Sequence, residues 1–294
     1  MISDSVLTLV NAADNNLALR IRHFEDDSPF NTIQRQSVSS IVLLKEGKGS
    51  LKVDFSEFEV CKNMMLFFSP YQPFALNAPD GIRGVCIDFH PEFFCLLKHQ
   101  KEIAFCGLIF NNIYDPPFIS FSDTEAFLFD TLITQLIDEV QKKELAQHEL
   151  LVSILKIFMI HASRIKMQQR VSPEISLPEE DQPFILQNLK DAIDAHFREK
   201  HSAGEYAEVL NISPKALAKI TKTYLNKTLT DLITERIVLE AKRDLYTTAK
   251  SVKEIAYDLG FKDEYHFSRY FRNSTSVSPQ IYRNNLKASK TAQA

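Results

Sequence analysis

Residues 251–283 read SVKEIAYDLGFKDEYHFSRYFRNSTSVSPQIYR. The order of residue types here specifies a helix, a tight turn and a second helix. Ala256 is small where two helices must cross closely. Gly260 enters the left-handed backbone region without a steric cost, as a sharp turn requires. Phe261 plugs the space beneath that turn, and Asp263 supplies an N-cap oxygen for the helix that follows. On that second helix Phe267 and Phe271 are four residues apart and fall on the inward face. Glu264, Tyr265, His266, Arg269 and Arg272 point outward.

The same grammar occurs once more upstream. Residues 206–222 read YAEVLNISPKALAKITK, with Ala207 at the crossing, Asn211 at the turn, Ile212 as the plug and Ser213 as the cap. Pro214 stands at the first helical position, where its missing N–H is not needed. Leu217 and Ile220 face inward, while Lys215, Ala216, Ala218, Lys219 and Lys222 face outward. Between the copies Leu229–Tyr246 is one amphipathic helix that Thr228 and Asp231 can cap. The pattern predicts two helix-turn-helix units held at a fixed separation. In such a unit the second helix lies in a major groove with its N-terminal residues against base edges.

Residue chemistry then assigns roles. The Arg269 guanidinium can bond guanine O6 and N7 together, or contact a phosphate instead, and Lys219 is its counterpart with the same two options. Lys222 and Arg272, farther along, suit phosphates and register. Ala218 can meet a thymine methyl. Glu264 can accept from cytosine N4 or serve as a surface or capping residue. His266 has no neighbouring residues with which to ligate a metal. Backbone N–H groups at the helix starts after Thr228 and Ser278 are further phosphate candidates.

The 251–283 segment closely resembles the signature of the AraC/XylS family of bacterial regulators, and with the first copy and the joining helix the resemblance covers about residues 184–287. Two departures stand out: Asn226, where the family usually has Gly, and Thr221, at a place often held by Phe. The resemblance implies double-stranded promoter DNA as partner and activation through RNA polymerase as the commoner mode. It also implies a cytoplasmic protein with an N-terminal cupin-like β-barrel that binds a small-molecule effector. Arg269 matches a base-contact position of the family.

Charge is distributed to match. The whole chain carries a net −4, but residues 1–183 hold −9 and residues 184–294 hold +5. A basic excess confined to one end fits a nucleic-acid-binding domain attached to an acidic one. No long apolar run predicts a membrane span, and the N-terminal residues do not form a secretory signal. Cys61, Cys86, Cys95 and Cys106 lack the spacing of a zinc site and read as reduced thiols.

The first 121 residues read as short strands. SIVLLKEGKGSLKVDF suggests two strands joined by a turn at GKG, 47–49. FEVCKNMMLFF and IRGVCIDFH add more, broken at Ser69-Pro70 and Pro91. From the Ser122–Glu125 capping box the period becomes helical through Phe129, Leu132, Ile133, Leu136, Ile137 and Val140. A second helix follows through Leu151, Ile154, Leu155, Phe158 and Ile165. This αα-hairpin either seals the barrel or forms a homodimer interface. The expected organisation is therefore an α+β chain: a cupin-like β-barrel over 1–121, a helical hairpin over 122–169 and a proline-rich linker over 170–183. An all-α domain with two helix-turn-helix units over 184–287 and a tail over 288–294 complete it.

Related barrels carry metal-binding histidines where this chain has Gln34-Arg35-Gln36 and Phe74, so no metal or other cofactor is expected. Arg20, Arg22, Arg35 and Gln36 are polar candidates for effector contact, against the simpler reading of solvated strand faces. Two rival readings stand beside the regulator. A cupin-type enzyme fused to a helical domain would need metal ligands or a nucleophile–base pair, and neither is visible. A scaffold would use the helix-turn-helix units to bind protein.

Overall fold

The computed structural model describes residues 6–11, 17–94, 109–110, 112–142, 144–171 and 184–287. Most of the expected linker, from 172 on, lies outside these residues, as do the tail over 288–294, Cys95 and Cys106. Contacts divide the chain into two compact units. Among the described residues, strands and two helices build the first, and Ile113–Pro116 with seven helices build the second.

In the first unit the strands are β1 (Leu7–Val10), β2 (Leu17–Phe24), β3 (Ser39–Val53), β4 (Ser56–Cys61), β5 (Met64–Phe68), β6 (Phe74–Asn77), β7 (Ile82–Phe89) and β8 (Phe118–Ser120). They form one antiparallel sheet in the order β1-β2-β7-β3-β5-β8, with β4 and β6 also pairing with β3, and the order does not close on itself. Side chains alternate across it with period two. Ile41, Phe67 and Ile87 share one register row and one face; Val42, Leu66 and Cys86 share the next row on the opposite face. Helices α1 (Asp123–Gln141) and α2 (Gln147–Val171) pack on the first face through Phe129, Leu132, Leu136, Leu155 and Phe158, all buried. The second face packs against Leu51, Val53, Phe74 and Leu76.

Ser122 and Glu125 form the expected reciprocal cap of α1. The GKG segment differs from its expected role. No turn forms there, because β3 runs unbroken through it. The pairing with β7 shifts register between Leu44 and Glu46, and Gly47 takes a φ of +92°. A β-carbon on Gly47 would lie 2.8 Å from the Ile82 Cα, and one on Gly49 2.9 Å from the Ala78 side chain. These glycines allow close backbone approach as β3 passes from pairing with β5 to pairing with β4 and β6. The reversal comes after Val53, where Asp54 has a φ of +49° and β4 returns along β3.

The second unit holds α3 (Phe184–His196), α4 (Ala203–Val209), α5 (Pro214–Leu225), α6 (Leu229–Thr247), α7 (Val252–Asp258), α8 (Glu264–Thr275) and α9 (Pro279–Lys287). Helix α6 packs on α3, α5, α7, α8 and α9. It buries Leu232, Ile233, Ile237, Ala241 and Leu245, so the expected spacer is the unit's central post. Arg236 on α6 bonds Asp194 at 2.7 Å and Glu240 at 3.0 Å, and its guanidinium lies 3.9 Å from the centre of the Phe197 ring. No helix among the described residues is long and apolar enough to cross a membrane.

Candidate nucleic-acid interface

Two helix pairs, α4–α5 and α7–α8, present the outward side chains. Each first helix opens on a complete capping box, Ser202 with Glu205 and Ser251 with Glu254. Neither box was among the expectations, although S-x-x-E is plain at both places. The turns are left-handed at Asn211, with φ +54°, and Gly260, with φ +81°. The plug residues close both turns alike: Ile212 N–H donates to Ala207 O at 3.1 Å, and Phe261 N–H to Ala256 O at 2.9 Å. Each second helix starts at its expected cap. Ser213 Oγ accepts from Ala216 N–H at 3.2 Å, and Asp263 Oδ1 from His266 N–H at 2.7 Å.

The inward set is nearly as read. Ala207, Ala256, Leu217, Phe267 and Phe271 are buried, while Ile220 is only half-buried. Thr221 explains one departure. It is fully buried, and its hydroxyl donates to Ala218 O at 3.1 Å, so a small hydrogen-bonded side chain occupies that place. Asn226 explains the other. It ends α5 with φ +52°, a conformation that asparagine tolerates better than other branched side chains.

The outward set, Glu264 apart, is exposed on both second helices. Lys215, Ala218, Lys219 and Lys222 follow i, i+3, i+4, i+7 spacing and form one stripe on α5 opposite Leu217, with Ala216 exposed beside it. On α8, Tyr265, Arg269 and Arg272 form the corresponding stripe opposite Phe267 and Phe271, and Tyr265 is 87% exposed. Glu264 is half-buried at the helix start. His266 is exposed but lies edge-on to Phe261, with ring centres 5.4 Å apart. Tyr270 leaves the surface: its hydroxyl donates to Thr234 of α6 at 2.9 Å, which fixes how α8 is presented.

Ion pairing separates structural cations from available ones. Arg198, Lys227, Arg236 and Lys250 are all paired with carboxylates. Arg283 donates to the carbonyls of Leu245 and Lys250. Among the described residues of this unit, the side chains of Lys215, Lys219, Lys222, Arg269 and Arg272 carry no hydrogen bond or ion pair, nor do those of Lys262 in the second turn, Lys200 and Lys253, the last lying 6.0 Å from the centre of the Tyr257 ring. Lys262 was not among the expected contacts, although it directly precedes the Asp263 cap. Most of the unit's charge that the protein leaves unpaired is thus gathered on the second helix of each pair. Such a surface can replace the counterions of a polyanion.

Comparison with known proteins agrees with this geometry. A family model described as a helix-turn-helix domain matches residues 206–285. The regulatory protein SoxS of Escherichia coli K12 is 33% identical over 102 residues, covering 35% of this chain and 95% of SoxS. The transcriptional activator RhaS of Enterobacter sp. strain 638 is 33% identical over 104 residues, covering 35% of this chain and 37% of RhaS. The crystal structure of ToxT from Vibrio cholerae O395 aligns over 92% of this chain and 98% of its own, at 15% identity and a TM-score of 0.42. SoxS and RhaS are regulators rather than enzymes. The chain belongs to the AraC/XylS family of DNA-binding transcription regulators.

Proposed function

We propose that the protein reads promoter DNA with α5 and α8 as paired recognition helices in successive major grooves, under control of its N-terminal unit. The observation that carries this reading is the cluster of unpaired cations on those two helices, where Arg198, Lys227, Arg236 and Lys250 elsewhere in the unit are paired with carboxylates. Lys215, Ala216, Ala218, Lys219 and Lys222 are the contact set of the first helix. Glu264, Tyr265, His266, Arg269 and Arg272 are that of the second. Two recognition helices on one side of a duplex must lie about one turn apart, near 34 Å or 10 base pairs.

Residues 1–121 serve, on this reading, as a cupin-like barrel that receives a small effector, and 122–169 as the homodimer contact. The segment 170–183 links them to the DNA-binding residues 184–287, with 288–294 as a tail. Leu150, Ile157 and Met167 support the dimer. They are exposed apolar residues on α2, with Leu150 and Ile157 seven apart on one face and Met167 further along the same side. Effector binding would change how the DNA-binding unit is presented. Activation through RNA polymerase, in the cytoplasm, is the proposed outcome, as RhaS is itself an activator.

A mobility-shift titration with promoter DNA at rising salt tests the core of this. Affinity should fall steeply with salt as phosphate-bound counterions are released. Absent binding, or binding flat with salt, would remove the proposal.

A further inference from the structure

The second face of the first unit's sheet is apolar except where β2, β7 and β3 lie side by side. There the register sets Arg20 opposite Asp88, Arg22 opposite Cys86 and Ser40 opposite Asp88. Asp88 is fully buried. Its Oδ2 accepts from Arg20 Nε at 2.9 Å and Nη2 at 2.6 Å; its Oδ1 accepts from Ser40 Oγ at 2.6 Å and the Cys86 thiol at 3.3 Å. Arg20 also donates to Gln36 Oε1 at 3.1 Å. The carboxylate and Arg20 therefore complete each other.

Arg22 does not share in that completion. Its side chain is 17% exposed, its Nε stands 3.6 Å from Asp88 Oδ2 and its guanidinium lies 5.0 Å from the centre of the Phe30 ring. The Nε is buried without a hydrogen bond, and the single contact of Nη2 is the Cys86 sulfur at 3.7 Å. Burial, then the Asp88 carboxylate, pushes the Cys86 thiol well above its usual range. That sulfur is therefore a neutral, weak acceptor whose S–H already donates a hydrogen bond to Asp88. Among the described residues Arg22 has no hydrogen-bonded oxygen acceptor for any of its five N–H groups. Two guanidiniums against one carboxylate also leave the site one positive charge in excess, and a buried charge is costly unless paired.

We propose that Arg22, with the more exposed Arg20 and Gln36 beside it, recognises a small monoanionic carboxylate. This rests on the reading of the N-terminal unit as effector-receiving, and names the effector's class. The charge excess of one selects a monoanion. A guanidinium edge offers two parallel N–H bonds that match the two oxygens of a carboxylate. The adjoining wall is Phe24, Phe30, Val42, Leu66 and Phe68, which suits a short apolar body and offers no partners for a polyol.

The test is thermal unfolding of the full chain titrated with acetate, hexanoate, octanoate and benzoate, with hexanamide and benzamide as neutral counterparts and chloride and phosphate as salt controls. At least one carboxylate should raise the Tm saturably, where its amide and the inorganic anions do not. Arg22→Gln should weaken that response by about tenfold or more, as loss of a charged hydrogen bond does. Arg22→Lys keeps the charge but not the two-point edge, should fold if Gln does not, and should respond more weakly than the native chain. No response to any carboxylate, an equal response to the amides or salts, or an undiminished response in the variants would overturn the assignment. A mobility shift on the same samples separates the two readings. DNA binding without a carboxylate response removes only the effector class, and a response without DNA binding removes only the regulator function.

Discussion

Gly260 and Arg198 meet backbone to backbone. A β-carbon on Gly260 would collide with the Arg198 carbonyl oxygen and lie 3.1 Å from its carbon, and the glycine also holds φ at +81°. Two constraints fall on one residue, so Gly260→Ala should destabilise the DNA-binding unit by about 2 kcal/mol or more. Asn211, the matching residue of the first turn, is exposed with φ +54°, and Asn211→Ala should cost about 1 kcal/mol. Urea unfolding of the full chain followed by circular dichroism checks the order. Equal losses would show that close packing at the second turn matters little.

Arg269 and Lys222 should fail differently. Arg269→Ala should cost roughly 1–3 kcal/mol on the native site and relax the preference at one base pair. Lys222→Ala should weaken all sequences alike and reduce the salt slope by about 1. Fluorescence anisotropy on native and single-substituted duplexes, over a salt series, distinguishes them. A uniform loss for Arg269→Ala would reassign it to phosphate.

His201 gives the DNA-binding unit an acid-sensitive edge. Burial, the largest influence, holds its pKa below the ordinary 6.5 despite contacts with the Leu259 and Phe197 backbone and the Glu205 carboxylate that act in the raising direction. The unfolded chain therefore takes up the proton first. The histidine's contribution is intact above the ordinary value and declines as pH falls below it, levelling off once the folded form protonates too. Unfolding midpoints across this window should fall in the native chain and fall less in His201→Gln.

Ile157 is 46% exposed on α2. If α2 forms the proposed homodimer contact, the native chain should sediment as a dimer and Ile157→Glu as a monomer by sedimentation velocity. Monomer stability should shift by no more than about 0.5 kcal/mol, as for an exposed position. A dimer of unchanged affinity would move the contact elsewhere.

Asp88 anchors Arg20, Ser40 and Cys86 from inside the sheet. Asp88→Asn leaves two guanidiniums without a counter-charge and should cost roughly 3–5 kcal/mol, read by chemical denaturation of the N-terminal unit. A saturating carboxylate should return part of that loss.

The DNA-binding half was legible because its chemistry is local. Asn211, Gly260, Ser213 and Asp263 act on backbone within a few residues of themselves, so their spacing alone declares the turns. The α1 start was legible for the same reason. The sheet was harder. Gly47 and Gly49 look like a turn in sequence, but what they accommodate is the Gly81–Ile82 backbone and Ala78, more than thirty residues away in one case and about thirty in the other. Arg20, Arg22 and Gln36 could be named as polar candidates. Nothing near them in sequence announces Asp88, which reaches them only through strand pairing. The central place of α6 was likewise hidden, since amphipathicity shows that a helix is half-buried but not how many partners bury it.

That place has a consequence for the promoter. Because α6 is gripped by α5, α7, α8 and α9 at once, the two proposed reading helices would be calibrated by one rod and share a single unit of length. One base pair added between their half-sites would rotate one against the other by about a tenth of a turn, and the rod has no hinge with which to follow. Tolerance to insertions at the operator would then be a property of this one helix, and engineering it would mean redesigning a ruler rather than the marks it reads.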